Sequence, residues 1–292
     1  MDLPIAPSSD HEAPPLPVAL ARPERQGVPL VFVSAHSGRD YPPAFLAAAR
    51  LDALTLRSSE DGFVDELFAA APAVGAPLLM ATFPRAFCDA NREPWELDPD
   101  MFEERLPPWV NTASARISAG LGTIARVVAS GEAIYRGKLP FAEAERRVRL
   151  YWEPFHKALR ELVDATRRQF GACLLVDCHS MPGNSAAPYA PTDFVLGDVH
   201  GATCSPVVMR RAERALAERG YRVRRNDPYA GGYIIRHYGR PQDGVLALQI
   251  EVCRPLYMDE ARVAKLAAFD SVQGDITALI AALAAGPLFG GG

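Results

Sequence analysis

Apolar segments short enough to be strands alternate with longer amphipathic segments along most of this 292-residue chain. The continuous apolar runs, which are typical of buried strands, lie at residues 28–37, 77–83, 172–180, 193–199 and 245–254. Helical spacing of apolar residues is found at residues 61–74, 141–170, 205–219 and 259–284. This alternation predicts an α/β fold in which helices cover both faces of a mixed, mostly parallel sheet, giving a three-layer sandwich.

The first 27 residues differ from the remainder of the chain. They are rich in proline and alanine and lack apolar periodicity, so we expect an arm that lies over the surface or is disordered. Residues 28–292 are predicted to form a single domain. A hydrophobic content of 49% is sufficient for the large buried core that such a domain needs.

The charge balance favours a small-molecule partner. The chain has 31 Lys and Arg against 35 Asp and Glu, so its net charge of −4 provides no field to attract nucleic acid or an anionic membrane. Its apolar runs are too short to span a bilayer, and its N-terminus lacks the basic and apolar regions of a signal peptide, so a cytoplasmic location is expected. Five widely spaced cysteines without a CxxC motif argue against a disulfide framework or a cysteine zinc site. The sequence leaves open whether the chain forms a homo-oligomer.

Ionisable residues stand at or near the ends of three predicted strands. His36 ends the first strand, His179 ends a later one two residues after Asp177, and Glu251 lies in the last. Because the side-chain period of a strand is two, Asp177 and His179 share one face. The carboxyl ends of parallel strands form the edge of a sheet where ligands bind, so the two histidines and Glu251 are expected to share one cleft.

Structural roles are also open for these groups. A histidine can cap the end of a strand, and Glu251 can form a salt bridge with Arg254 or Arg236. Glu60 and Asp61, at the start of a predicted helix, are suitable as its N-cap. If that helix follows the first strand, its N-terminus opens at the same edge of the sheet as the first histidine.

Two histidines and one carboxylate form the usual ligand set of a catalytic zinc site, which leaves a fourth position for water. His36, His179 and either Glu60 or Asp61 supply these groups, and Glu251 is then available to accept a proton from the water. The chain contains neither HExxH nor a His-x-x-Glu motif, so spacing alone carries little weight. Arginines in Pro- and Gly-rich segments match substrate carboxylates by their forked geometry; these are Arg85, Arg92, Arg236 and Arg240.

Several longer motifs follow one another between about residues 31 and 260. They are Ser34-Ala-His-Ser-Gly-Arg-Asp-Tyr-Pro42, Asp61-Gly-Phe-Val-Asp65, Pro84-Arg-Ala-Phe-Cys-Asp-Ala-Asn-Arg92, Tyr151-Trp-Glu-Pro-Phe-His156, Asp177-Cys-His-Ser180, Gly231-Gly-Tyr-Ile-Ile-Arg-His-Tyr-Gly-Arg-Pro241, Gln249-Ile-Glu-Val252 and Tyr257-Met-Asp-Glu260. In this order they resemble the N-formylglutamate amidohydrolase family, whose members deformylate an intermediate of histidine degradation. The resemblance implies a phosphorylase/hydrolase-like fold, a divalent metal that is expected to be zinc, and hydrolysis of an N-formyl or N-acyl amino acid.

The resemblance also implies roles for individual residues. His36, Asp61 and His179 resemble the metal ligands, and Glu251 resembles the general base. The residues that resemble substrate contacts are Arg85, Asn91, Arg92, Arg236, His237 and Arg240. The chain departs from the family pattern after Asp177, where Cys178 stands in place of the alanine we expect, and in Asp198-Val-His-Gly201, where the role of His200 is open. A related zinc amidase for N-acyl amino acids or peptidoglycan fragments, and a non-catalytic ligand-binding relative, are the alternatives.

Overall fold

A seven-stranded sheet forms the centre of the computed structural model, which describes residues 17–183 and 191–289. Its strands are β1 (Val18–Ala21), β2 (Leu30–Ser34), β3 (Leu78–Ala81), β4 (Cys173–Met181), β5 (Phe194–Gly197), β6 (Val223–Arg225) and β7 (Val245–Cys253). Their spatial order is β1-β3-β2-β4-β7-β5-β6. The four central strands β3, β2, β4 and β7 run parallel, whereas β1 and β5 are antiparallel to β3 and β7. A small antiparallel pair, β8 (Met258–Asp259) and β9 (Ala264–Lys265), lies outside this sheet.

Nine α-helical segments occur in the described part of the chain. They are α1 (Pro43–Ala48), α2 (Ala53–Arg57), α3 (Val64–Leu67), α4 (Ala115–Ser118), α5 (Phe141–Arg147), α6 (Glu153–Phe170), α7 (Pro206–Ala217), α8 (Tyr233–Tyr238) and α9 (Phe269–Ala284). A π-helical turn, Val148–Trp152, joins α5 to α6, and α6 ends at Gly171, whose φ of 76° is the left-handed conformation that glycine adopts without strain. No helix among residues 17–183 and 191–289 is long and apolar enough to cross a membrane.

Each face of the sheet packs against its own layer of helices. On β2, Leu30 and Phe32 belong to the core beneath α3, α7 and α9, whereas Val31 and Val33 belong to the core beneath α1, α6 and α8. All nine residues of β4 are buried for the same reason. Strands covered on both faces need apolar side chains at successive positions, which explains the continuous runs in the sequence. The predicted mixed, mostly parallel three-layer α/β fold is confirmed.

Part of the predicted N-terminal arm belongs to the sheet. Strand β1 pairs antiparallel with β3, with Val18 opposite Ala81 and Ala21 opposite Leu78. The exclusion of residues 17–27 from the fold is therefore wrong, although residues 1–16 lie outside the described part of the chain. A four-residue edge strand is too short to show a period of two, which is why the sequence did not reveal it.

Two of the predicted helices have different boundaries in the structure. Residues 61–74 contain only the single-turn α3 and a 3₁₀ turn, Ala71–Val74, because Pro72 has no N–H to continue an α-helix. The last helix begins at Phe269 instead of residue 259, since the preceding segment forms the β8–β9 pair. Helices α1, α2, α4 and α8 and the edge strand β6 lie outside the segments for which the sequence predicts regular structure.

Candidate active site

One face of the sheet changes from apolar to polar toward the carboxyl ends of β4 and β7. On β4, Leu175 is followed by Asp177 and His179 on the same face, and all three are buried. On β7, the neighbouring positions are Gln249 and Glu251. The helices α6 and α8 cover the apolar part of this face, so the polar positions lie beyond it at the edge of the sheet. The sequence alternation therefore directs these side chains to one place.

Three buried side chains meet at this edge. The ligand-type atoms of His36, Asp61 and His179 all lie within 4.8 Å of one another. Asp61 Oδ2 lies 2.8 Å from His179 Nδ1 and 3.4 Å from His36 Nδ1. The backbone N–H of Asp61 also donates to the carbonyl of His36 at 3.0 Å, which holds the two loops together. These residues could hold a metal ion with their inward-facing Nδ1 and carboxylate atoms.

Each histidine also contacts a second carboxylate through its Nε2 atom. His36 Nε2 lies 2.7 Å from Asp89 Oδ1, and His179 Nε2 lies 2.9 Å from Asp177 Oδ1. Metal-binding histidines usually have such a partner on the other ring nitrogen, because it fixes the tautomer and the ring orientation. His36 Nδ1 itself is buried without a hydrogen-bond partner in the described part of the chain. A cation would satisfy this nitrogen, so the donor set fits a metal.

Asp61 and its neighbour Glu60 have different partners in the structure. Glu60 accepts a hydrogen bond from Tyr41 Oη at 2.8 Å and pairs with Arg57, so its carboxylate is engaged away from the histidines. Neither acidic residue is an N-cap, because α3 begins at Val64 and the preceding position is Phe63. Asp61 is therefore the carboxylate that faces the two histidines.

The carboxyl groups of Asp61 and Glu251 have pKa values that are shifted in opposite directions. Burial acts to raise the pKa of Asp61, but the neighbouring imidazoles of His179 and His36 outweigh burial and hold the pKa well below its usual range. Burial raises the pKa of Glu251 to about 7; His179 opposes this shift, and the negative charges of Asp61 and Asp177 add to it. One carboxylate therefore stays ionised while another exchanges a proton near neutral pH, a combination that is common in active sites.

Glu251 is not part of a salt bridge with the arginines that the sequence suggested. Its Oε1 accepts a hydrogen bond from Gln249 Nε2 at 2.8 Å. Arg254 instead donates to Asp61 Oδ1 at 3.1 Å and to Ser180 Oγ, and Arg236 Nε donates to the carbonyl of Gly231. A structural ion pair therefore does not account for the buried carboxylate of Glu251.

A cavity of about 420 Å³ opens over this group of residues. His36, Asp61, His179 and Glu251 lie in its lining, together with the backbone of the 228–232 loop. The site thus combines a potential metal ligand set, a carboxyl of raised pKa and space for a small molecule. This combination is suited to hydrolysis of a polar substrate.

Known proteins have sequences similar to this chain over most of its length. The family model for N-formylglutamate amidohydrolase matches residues 28–258 of the chain. This chain belongs to that family. An N-formylglutamate deformylase of Pseudomonas aeruginosa is 32% identical over 244 residues, which cover 81% of this chain and 85% of the relative. An N-formylglutamate deformylase of Pseudomonas putida is 31% identical over 240 residues, covering 80% and 83%.

Solved structures agree with the family assignment. The crystal structure of an N-formylglutamate amidohydrolase from Ralstonia eutropha JMP134 has a TM-score of 0.86 and 41% sequence identity, covering 91% of this chain and 96% of the other. A gene product of Agrobacterium tumefaciens, with a TM-score of 0.60 and 20% identity over 91% and 94% of the two chains, shares the fold. The resemblance drawn from the sequence motifs is confirmed, and the chain is an enzyme of the amidohydrolase type.

Not all of the expected substrate contacts of this N-formylglutamate amidohydrolase family member lie in the cavity. Arg85, Arg92 and Arg236 line it, but His237 and Arg240 do not. His237 stacks on Tyr233 with ring centroids 5.0 Å apart, and Arg240 donates back to the carbonyl of His237. Successive helical residues point about 100° apart, and of Arg236, His237 and Arg240 only Arg236 lies in the cavity lining. Contact of His237 and Arg240 with the substrate stays a prediction.

Asn91 lines the cavity, but its side chain is engaged with the protein. Its Oδ1 accepts from the N–H of Ile234 at 2.7 Å, and its Nδ2 lies 3.3 Å from Asp177 Oδ2 and 3.0 Å from His179 Nε2. Gly232 allows this close approach, since a Cβ there would lie 2.4 Å from Asn91 Nδ2. Asn91 therefore braces the start of α8 against the histidine group, and its contact with the substrate stays a prediction.

His156 holds the backbone of the segment that carries Asn91. Its Nε2 donates to the carbonyl of Ala90 at 2.8 Å, and its Nδ1 lies 3.0 Å from Tyr238 Oη. Burial lowers the pKa of His156 to about 3, so the ring is neutral. The family motif that ends at His156 thus fixes the backbone between Asp89 and Asn91. His200, by contrast, is exposed and lies outside the cavity lining.

The cavity lining includes two further arginines, Arg116 and Arg254, for which the sequence predicts no contact with the substrate. Arg254 is buried and donates to Asp61, so it belongs to the frame of the histidine group. Arg116, in α4, is exposed and also lies in the cavity lining. No sequence signal distinguishes Arg116 from other surface arginines, because a short irregular segment carries it there.

Proposed function

We propose that this chain is a metal-dependent hydrolase that cleaves the amide of an N-formyl amino acid with an acidic side chain, giving formate and the free amino acid. The position of Glu251 carries this proposal: it stands opposite His179, beside the buried group of two histidines and Asp61. The names of the relatives, which are N-formylglutamate deformylases, support the same class of substrate.

The proposed metal ligands are His36, Asp61 and His179, and zinc is the proposed metal. Two nitrogen donors and one carboxylate, with a fourth position open, are the donor set of catalytic zinc sites. A divalent metal bound there supplies a Lewis acid that polarises the substrate carbonyl and lowers the pKa of water. Asp89 and Asp177 hold the two imidazole rings so that their Nδ1 atoms face inward.

Glu251 is the proposed general base and acid. It accepts a proton from the water that attacks the formyl carbon, and it donates that proton to the nitrogen as the carbon–nitrogen bond breaks. A carboxyl with a pKa of about 7 can perform both steps near neutral pH. The hydrogen bond from Gln249 holds one oxygen of Glu251 and thereby orients the carboxylate toward the histidine group.

Arginines on the cavity wall provide the charge that an acidic substrate requires. Arg236 uses only its Nε in a hydrogen bond to the described residues, which leaves its two terminal nitrogens for a substrate carboxylate. Arg85 lies closer to the histidine group, since its Nη2 donates to Asp89 at 2.9 Å and its Nη1 is 3.9 Å from Asp61. Arg85 therefore serves mainly to neutralise those carboxylates.

A substrate panel tests this proposal. Purified protein, treated with a chelator and then either left metal-free or reconstituted with zinc, is assayed for acid release from N-formyl and N-acetyl amino acids. We expect formate release that requires added metal and is fastest with N-formylglutamate. Preference for acetylated substrates or peptidoglycan fragments would favour a related zinc amidase instead. Binding without any hydrolysis would favour a non-catalytic relative.

A further inference from the structure

We propose that Arg116 binds the side-chain carboxylate of the substrate, and that Arg92 instead holds the cavity wall together. This inference rests on the proposed function and makes it more specific. The Asn91-Arg92 motif favours Arg92 as the residue that grips a carboxylate. In the structure, however, the side chain of Arg92 is hydrogen-bonded to the protein, whereas that of Arg116 is not hydrogen-bonded to any described residue.

Arg92 is buried and hydrogen-bonded to the protein through two of its three nitrogen atoms. Its Nε donates to the carbonyl of Leu121 at 3.0 Å and its Nη1 to the carbonyl of Asn91 at 2.8 Å. Its Nη2 lies 3.9 Å from Asp89 Oδ2. The residue is only 7% exposed, so removal of the guanidinium would leave buried carbonyls without donors. Arg92 therefore connects the loop that carries Asp89 with the segment that follows α4.

Arg116 is free to bind an anion. It lines the cavity and is exposed, and it forms neither a hydrogen bond nor an ion pair through its side chain within residues 17–183 and 191–289. Arg126, ten residues later, contrasts with it because its Nε pairs with Asp98 Oδ2 at 2.8 Å. The backbone of Arg116 is nevertheless held, since its carbonyl accepts from the N–H of Leu121 at 2.8 Å. The guanidinium of Arg116 is thus unpaired in the described part of the chain, on a hydrogen-bonded backbone.

The cavity lining near Arg116 suits a short aliphatic chain with a terminal charge. The segment that follows α4 contributes Leu121, Ala125 and Val127 to the lining, which together form an apolar wall. An acidic side chain that follows this wall buries its methylene groups and presents its carboxylate to the arginine. Apolar surface with a few placed polar groups is the usual composition of such pockets.

A series of neighbouring charges connects the proposed metal ligands with Arg92 and Arg116. His36 contacts Asp89, Asp89 lies next to Arg92, and Arg116 is close enough to act on Arg92 electrostatically. Burial lowers the pKa of Arg92, and the positive charges of Arg85 and Arg116 lower it further, although Asp89 opposes them. In an N-formyl acidic amino acid, the side-chain carboxylate is the charge farthest from the formyl carbon. The outermost arginine of this series is therefore its partner.

Two substrates that differ only in the charge of the side chain can distinguish the role of Arg116 from that of Arg92. N-formylglutamate and N-formylglutamine have the same shape, but only the former has a charged side chain. We expect Arg116→Gln to lower kcat/KM for N-formylglutamate by about 10- to 100-fold, mainly through KM, and to leave N-formylglutamine nearly unchanged. Arg92→Gln should lower Tm and reduce kcat/KM for both substrates alike. Arg214→Gln removes an exposed arginine on α7 and serves as the control that changes neither.

Direct binding of the product distinguishes failure of this inference from failure of the proposed function. Titration calorimetry with L-glutamate and L-glutamine requires no turnover, and it should show selective weakening of glutamate binding in Arg116→Gln. Wild-type protein that hydrolyses no N-formyl amino acid would refute the proposed function, while the calorimetry would still test Arg116. The assignment of Arg116 is overturned if the variant loses both ligands equally or neither, if wild-type protein does not prefer glutamate, or if Arg92→Gln alone loses the preference.

Discussion

His179 and Glu251 lie directly opposite each other on the parallel strands β4 and β7. Asp177 and Gln249 form the preceding pair of the same face, so each residue of the first pair has its supporting partner two positions earlier on its own strand. The register of these two central strands thus sets the separation between one proposed metal ligand and the proposed base. Precise placement of this kind is what proton transfer requires.

Loss of a ligand and loss of its outer partner should have different effects on metal binding. His179→Ala removes a proposed ligand, so we expect the metal and the activity to be lost together, without rescue by ordinary amounts of zinc. Asp177→Asn keeps the ligand but weakens its orientation, so metal affinity should fall about 10- to 100-fold and activity should return at higher zinc. Metal content and zinc titration measure both effects. His237→Ala, outside the cavity, is the matched control, and equal metal loss in this variant would contradict the ligand assignment.

The brace formed by Asn91 can be tested with an isosteric change. Asn91→Asp keeps an oxygen that can accept from the N–H of Ile234, but it turns the Nδ2 donor into a carboxylate oxygen near Asp177. A buried donor is lost and like charges come together, so the free energy of unfolding should fall by about 1–3 kcal/mol. Urea denaturation measures this difference. Unchanged stability would mean that the contact between Asn91 and Asp177 contributes nothing.

The neutral, buried His156 predicts a specific loss of stability in acid. Its pKa is about 3 in the folded protein because of burial, below the ordinary value of 6.5 that the unfolded chain approaches. The unfolded state therefore binds the extra proton first, and the stabilising contribution present above pH 6.5 is lost as the pH falls toward 3. Between these two pH values, titration of His156 should lower the free energy of unfolding by about 1.4 kcal/mol for each unit by which the pH falls.

The slope of stability against pH tests this contribution of His156. The free energy of unfolding, measured between pH 7 and pH 5, should decline less steeply in His156→Gln than in the wild type, whatever the stability of the variant at pH 7. The exposed His200 provides the control, because His200→Gln should retain the wild-type slope. Parallel slopes for the wild type and His156→Gln would show that the buried imidazole does not limit acid stability.

The sequence predicted those parts of the fold whose signal is local. Strands β4 and β7 are covered on both faces, so their apolar runs are continuous, and the ionisable His179 and Glu251 stand out within them. The edge strands β1 and β6 have four and three residues, too few for a period to be recognised. The helix predicted from residue 61 begins only at Val64, since the preceding Phe63 adopts a positive φ of 63°.

The parts of the site that depend on tertiary contacts could not be predicted in the same way. Glu60 and Asp61 are equivalent by residue type, and only the hydrogen bonds of Glu60 to Tyr41 and Arg57 separate them. Arg116 reaches the cavity through a short helix and an irregular loop, which have no periodic pattern. Which side chains of an irregular segment face a cavity is decided by packing against distant parts of the chain.

Replacement of Glu251 by glutamine tests the proposed chemistry most directly. Glu251→Gln keeps the shape and the acceptor for Gln249 but cannot take up a proton, so metal content and Tm should stay near the wild-type values. Because the same group serves in both proton transfers, kcat should fall toward the upper part of the 10²- to 10⁴-fold range typical of general acid–base removal. Glu60→Gln, another buried glutamate, is the control and should lower Tm without a comparable loss of kcat.

The decisive quantity is therefore kcat for formate release from N-formylglutamate by zinc-loaded Glu251→Gln, measured beside its metal content and Tm. We expect a fully metallated, folded variant whose kcat is reduced by about three orders of magnitude or more. A zinc-loaded Glu251→Gln variant that turns over at the wild-type rate would contradict this expectation.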